Sequence, residues 1–190
     1  MNFRIVGVVV ITICSASSCA AADKTTPADT DVVVSRINEQ CETIDHRIDS
    51  TNMVVLTVFG RSSEGGGWIG FFNGDTLEKI KTEYCYELGK SDFEYYLVSG
   101  KLVFVVQLET DYDRPFYEDS MRVISTVRSR FYFRDSTLVR WLDDEGKKVD
   151  STKETYERMQ RMLLLDANEC KQELARRTKG PLYLKKRPDW

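Results

Sequence analysis

Glu64-Gly65-Gly66-Gly67 is one stretch of this chain with a chemistry-bearing pattern. Clustered glycines let backbone N–H groups cradle a phosphate, but a phosphate loop also needs a Gly-Lys-Ser/Thr ending that opens a helix. Here the aromatic strand pattern Trp68-Ile69-Gly70-Phe71-Phe72 follows, so the stretch reads as a turn or bulge. Acidic groups are the second possibility. Asp111 and Asp113 flank Tyr112, and Asp143, Asp144 and Glu145 precede Gly146. Two carboxylates across a cleft can hydrolyse a glycoside, and oxygen-rich loops can hold calcium. Neither stretch has EF-hand spacing. With 30 Asp and Glu in 190 residues, such clusters arise by chance, and both read as solvated turns.

Histidine and cysteine narrow the field. His46 is the single histidine, which excludes the multi-histidine zinc sites. Any Ser-His-Asp or Cys-His machinery would have to use it, and its place between Asp45 and Arg47 in a helical segment reads as surface. No catalytic residue, metal ligand or cofactor is assigned. Beyond residue 22 the cysteines are Cys41, Cys85 and Cys170, whose wide spacing matches no zinc motif. In an oxidising compartment one pair and one remaining thiol is the expectation. Cys41 and Cys170 fall on apolar helical stripes, whereas Cys85 alternates with Lys79, Lys81 and Glu83. If the two helices lie side by side, Cys41 and Cys170 form the disulfide.

Aromatic residues supply the binding candidates. Neighbours in a strand point to opposite faces, so both members of Tyr95-Tyr96 cannot enter one core. Tyr96, Tyr132 and Trp141 are accordingly the candidate ligand-contacting residues of an aromatic sheet face. Cover by helices or loops is the alternative.

The first 22 residues bear on compartment. Arg4 precedes an uncharged apolar run from Ile5 to Ile13, and small residues follow from Ser15 to Ala22, the pattern of a secretory signal peptide. The run is about half of the ~20 apolar residues a spanning helix needs. Two cuts are open. One follows Ala20-Ala21-Ala22 and releases a soluble chain beginning at Asp23. The other uses Ala16-Ser17-Ser18-Cys19, which resembles a lipobox with alanine in place of its usual leucine and would lipidate Cys19. The expected organisation is a signal peptide over 1–22, a flexible tether over 23–30, one domain over 31–178 and a basic tail over 179–190. Charge supports no nucleic-acid partner: 27 Lys and Arg against 30 Asp and Glu give −3, and nucleic acid demands a dominant positive field. Membrane contact is expected only through a lipid anchor.

The elements that must position these residues follow from periodicity. Val33, Ile37, Cys41, Ile44 and Ile48 mark one face of an amphipathic helix with Asp31 as N-cap. Tyr156, Met159, Leu163, Ala167, Cys170 and Leu174 mark a second, opened by the capping-box pattern Ser151-Thr152-Lys153-Glu154 and ended by Gly180-Pro181. Between them the period shifts towards two. Strands flank Asn73-Gly74, Ser99-Gly100 and Asp135-Ser136, three hairpin signals. The strand over 101–109 carries apolar residues on both faces and reads as central. Short links predict an α+β fold: an antiparallel meander of six to seven strands, with the N-terminal and C-terminal helices packed on one face.

Glu64-Gly65-Gly66-Gly67-Trp68-Ile69-Gly70-Phe71-Phe72, with Tyr95-Tyr96 and Gly100-Lys101-Leu102, resembles a group of exported, periplasmic or lipoprotein-like bacterial proteins. The resemblance covers roughly residues 64–142. It implies an envelope protein of a Gram-negative bacterium, periplasmic or anchored to the outer membrane, and implies no activity and no site residues. The resulting expectation is a non-enzymatic module that binds an envelope protein or a glycan through its sheet. A small carboxylate-dependent hydrolase and an enzyme inhibitor are the alternatives.

Overall fold

The computed structural model of the chain describes residues 27–48 and 52–178. Helix α1 (Pro27–Arg47) leads into seven strands, β1 (Met53–Val58), β2 (Gly66–Asn73), β3 (Thr76–Tyr86), β4 (Gly89–Val98), β5 (Lys101–Tyr112), β6 (Val123–Arg134) and β7 (Thr137–Leu142), and helix α2 (Lys153–Thr178) closes the fold. The strands form one antiparallel sheet in sequence order. This is the expected α+β meander with a helix from each end of the chain packed upon it.

Tight turns set this topology. Ser99 and Gly100 have φ of 50° and 74°, and Asp135 and Ser136 have 47° and 65°. Two successive positive φ values make turns whose twist matches that of the paired strands. At the β2 entrance Gly66 is obligatory, because a Cβ there would sit 1.9 Å from the Glu83 carbonyl oxygen. The glycine cluster is therefore a close backbone approach between strands.

The doublets decide how the helices sit. Tyr95 and Phe131 belong to a core with Leu163, Ala167, Cys170 and Leu174 of α2. Their chain neighbours Tyr96 and Tyr132 belong to a second core with Ile37, Cys41 and Ile44 of α1. Adjacent strand residues face opposite ways, so each helix packs on one face and the sheet lies between them. Both apolar stripes expected from sequence are the ones that pack. Leu97 follows Tyr95 onto the α2 side by alternation, and the register irregularity opposite it leaves Val103 as an extra residue in β5, so β5 contributes Phe104 to one core and Leu102 and Val105 to the other.

This arrangement overturns the expected disulfide. Cys41 and Cys170 are buried free thiols in separate cores with a sheet between them, and Cys85 is also free. Burial, and then the Asp45 carboxylate, push the Cys41 thiol up to about 12. Burial, and then Asp166, raise the Cys170 thiol as well.

Helix boundaries also shift. α1 begins at Pro27, so residues 27–30 belong to the helix and Asp31 lies inside it. Asp29 pairs with Arg134 at 2.8 Å and Asp31 with Arg140 at 2.6 Å, tying this end of α1 to β6 and β7. At the other helix the capping pattern moves by one residue: the Thr155 N–H donates to the Thr152 hydroxyl at 3.2 Å, making Thr152 the N-cap. The signal segment over 1–22, Cys19, tether residues 23–26, Gly180-Pro181 and the basic tail lie outside the described residues. Among the described residues no helix is long and apolar enough to cross a membrane.

Candidate functional site

The binding residues named from sequence do not form an exposed aromatic face. Tyr96 and Tyr132 do share a face, but α1 covers them and each is buried. Trp141 lies on the other side, its ring 5.2 Å from Phe131 and 5.7 Å from Tyr156 of α2. The physical reason is that each face of the sheet has its own helix, so both members of a doublet find cover.

Instead the tyrosines anchor the helices through carboxylates. On the α1 side the Lys79 ammonium is buried and lies 2.7 Å from Asp45 of α1 and 2.9 Å from Glu94. It donates to the Tyr96 oxygen at 2.6 Å. The Tyr96 hydroxyl lies 2.9 Å from Asp45 and 3.1 Å from Glu94, and donates into this acidic pair. Burial alone would raise the Glu94 carboxyl, but hydrogen bonds from Lys81 and Lys79 outweigh it and hold Glu94 at about 2. A buried ammonium with two carboxylates is a satisfied ionic knot.

On the α2 side the acceptor is Asp166, projecting from the middle of α2. Tyr95 and Tyr84 both donate to it, Tyr84 at 3.1 Å. The Trp68 indole N–H donates in turn to the Tyr84 oxygen at 3.2 Å. Arg61, from the β1–β2 connection, reaches Asp166 at 3.5 Å, pairs with Glu169 and lies 5.6 Å over the Trp68 ring. Burial first, and the Asp166 charge second, raise both phenols, so they stay protonated donors. A carboxylate that accepts from two phenols and a guanidinium is committed to holding α2 on the sheet.

Above this network a cleft of about 800 Å³ opens between α2 and the ends of β3, β4 and β5. Tyr84 and Phe93 lie in its lining, Tyr86 is partly exposed, and Met162 and Leu165 line it from α2, Leu165 being 71 % exposed. Glu109, Asp166 and Glu169 place three carboxylates in the lining against the one guanidinium of Arg61. Arg61 is engaged with Asp166 and Glu169. The Glu109 carboxylate accepts from the Gln107 amide at 2.7 Å and has no ion-pair partner among the described residues.

Sequence reasoning missed Asp166, Arg61 and Glu109. Asp166 is one acid in a charged helix, and its tyrosine partners are 71 and 82 positions away. The one available signal was the break that Asp166 makes beside Leu163, Leu164, Leu165 and Ala167, a carboxylate next to the helix's apolar stripe.

The acidic clusters singled out earlier build turns. Asp113 accepts from the Arg122 backbone N–H at 2.8 Å and from the Arg114 and Arg122 side chains, which holds it at about 2. Asp111 accepts from Ser125 at 2.6 Å, and Asp143 caps a turn by accepting from the Lys147 N–H at 2.8 Å. None of these residues lines the cleft. His46 is exposed near the end of α1. Among the described residues no group of three or more His, Cys, Asp and Glu is placed to hold a metal ion. Compared with protein-family models, curated proteins and solved structures, the chain matches none.

Proposed function

We propose that this is a non-enzymatic binding module of an exported protein, and that its α2-side cleft takes a basic, partly apolar segment of a partner protein. The supporting observation is the cleft lining: three carboxylates against one already engaged guanidinium, beside the exposed apolar Leu165 and Met162. A lysine or arginine side chain entering there meets Glu109 as a counter-charge and the Tyr86 ring as a face for its cation. Its aliphatic stem lies along Met162 and Leu165. The apolar run after Arg4 and the small residues up to Ala22 support export.

Fluorescence titration with short peptides of equal length tests the assignment, using one Lys/Arg-rich, one neutral and one acidic peptide. The basic peptide binds, binding weakens with salt, and Glu109→Gln reduces affinity by roughly five- to tenfold, of the order expected for one partly exposed charge contact. A neutral oligosaccharide that binds in place of the basic peptide assigns the cleft to glycans. Indifference of basic-peptide binding to Glu109→Gln removes the cleft from the account.

A further inference from the structure

The two edges of the sheet are finished differently. At one edge β7 is bordered by the returning chain, with the Val149 N–H donating to the Trp141 carbonyl at 3.0 Å and Lys148 bridging Leu142. The part of β6 that extends past β7 carries a register irregularity opposite Asp111 and Tyr112, and the charge of Arg128. β1 has no such device. It is terminal in the sheet, and among the described residues no backbone group pairs with its outer side. Its sequence Met53-Val54-Val55-Leu56-Thr57-Val58 contains no charge, no proline and no glycine. Edges are normally blunted by charges, prolines, bulges or cover, because an open edge templates strand addition.

The direction of the free groups follows from one hydrogen bond. The Asn52 carbonyl accepts from the Phe72 N–H at 3.0 Å, on the β2 side. Backbone groups alternate along an antiparallel strand, so those of Met53, Val55 and Thr57 point outward. Their side chains lie on the α1 side of the sheet, in the half that α1 leaves open. There Val55, 45 % exposed, lines a trough of about 680 Å³ with Ile69, Val106 and Leu108. Phe59, 82 % exposed, follows at the end of the same edge.

We propose that β1 pairs antiparallel with β1 of a second copy about a two-fold axis through Val55, so that two seven-stranded sheets become one. A two-fold interface needs a self-complementary patch, and this strand provides it. With the axis at Val55, Val55 of one copy faces Val55 of the other, Met53 faces Thr57 and Val54 faces Leu56. Met53, Val55 and Thr57 then exchange about six hydrogen bonds. No charge lies opposite another. On the α1 side the two troughs, in which Val55, Ile69, Val106 and Leu108 alternate with charges such as Lys81 and Arg128, meet across the axis, which puts Val55 under cover. The second copy brings a strand of the same length and the same absence of charge, so it meets this edge with no like charges opposed.

Sedimentation velocity of the chain lacking residues 1–22, over a concentration series, reads the outcome. A reversible dimer is expected. Val55→Lys sets two ammonium groups on the axis and abolishes the dimer while leaving the far-ultraviolet circular dichroism of the folded chain unchanged, because the side chain is already half exposed. Val127→Lys, equally exposed on the other edge, leaves the dimer intact. Val55→Cys gives a covalent dimer under mild oxidation and Met53→Cys does not. A monomer at every concentration overturns the proposal, as does a dimer indifferent to Val55→Lys. If removing residues 179–190 converts a monomer into a dimer, the edge belongs to the chain's own C-terminal segment and the second-copy assignment fails.

Discussion

The two faces of the sheet use the same aromatic doublets and solve the anchoring of a helix in different ways. On the α1 side the anchor is ionic: Lys79 sits between Asp45 and Glu94, with Tyr96 donating into the pair. On the α2 side the anchor is a single carboxylate, Asp166, held by two phenols and the partly exposed Arg61. The apolar cores differ as well. α2 packs on a broad cluster that includes Ile80, Tyr95, Val105 and Phe131, each fully buried, whereas α1 covers Tyr96, Phe104 and Tyr132. A face with a small core leans on its ion knot, and a face with a large core can leave a polar cleft open beside its helix.

The largest effect should come from breaking the large core. Leu163→Ala, at a fully buried position, is expected to cost towards the upper end of about 2–5 kcal/mol, and Ile44→Ala on the α1 side towards the lower end. Paired denaturant melts measure the difference. Equal costs would mean that the two cores are equally weighted.

The next effect isolates the ionic anchor. Lys79→Met leaves Asp45 without its cation and Glu94 with Lys81 alone, and is expected to destabilise by about 2–3 kcal/mol, below the usual cost for a buried pair because Asp45 is half exposed and Glu94 keeps one partner. The pH profile carries the sign. The Glu94 carboxyl is held at about 2 against an ordinary 4.5. Its contribution is therefore complete above about pH 4.5 and is lost as pH falls towards 2. In Lys79→Met the Glu94 titration should move upward towards 4.5, so the acid-dependent loss of stability should be smaller and should level off at a higher pH than in the parent. Acid melts of the two proteins check this.

Much of this architecture is readable from residue pattern. The helical stripes from Val33 to Ile48 and from Tyr156 to Leu174 are the ones that pack, and the hairpin signals at Ser99-Gly100 and Asp135-Ser136 are turns. Periodicity says which side of a helix is apolar and not which face of a sheet receives it. That choice came from Tyr95 and Tyr96, two adjacent aromatics that each need a cover. The same gap explains the disulfide expectation, because Cys41 and Cys170 are on packing stripes but on opposite sides of the sheet. The cleft was out of reach for another reason: Arg61, Glu109 and Asp166 come from a loop, a strand and a helix, and only the packing of α2 across β3, β4 and β5 brings them together.

A smaller effect compares the doublet's two hydroxyls. Tyr95→Phe removes one of the donors to Asp166, and Tyr96→Phe removes the donor into the Asp45–Glu94 pair. Each is expected to cost about 1.5–3 kcal/mol, as hydrogen bonds to charged groups do, with Tyr96→Phe the milder because Lys79 still satisfies both carboxylates. Melts of the two variants rank them. The smallest effect is kinetic. Cys41 and Cys170 are buried with raised thiols, so in the native protein an alkylating reagent should modify Cys85 first, as peptide mass mapping would show. Early modification of Cys41 would mean that α1 lifts from its face readily.

The cleft is the centre of the functional account, and backbone NMR shifts during titration with a Lys/Arg-rich peptide test it most directly. The account predicts shifts clustered at Tyr86, Gln107, Glu109 and Leu165, reduced by Glu109→Gln and by added salt. Shifts confined to the α1-side trough around Ile69 and Val106, or none at all, would contradict it.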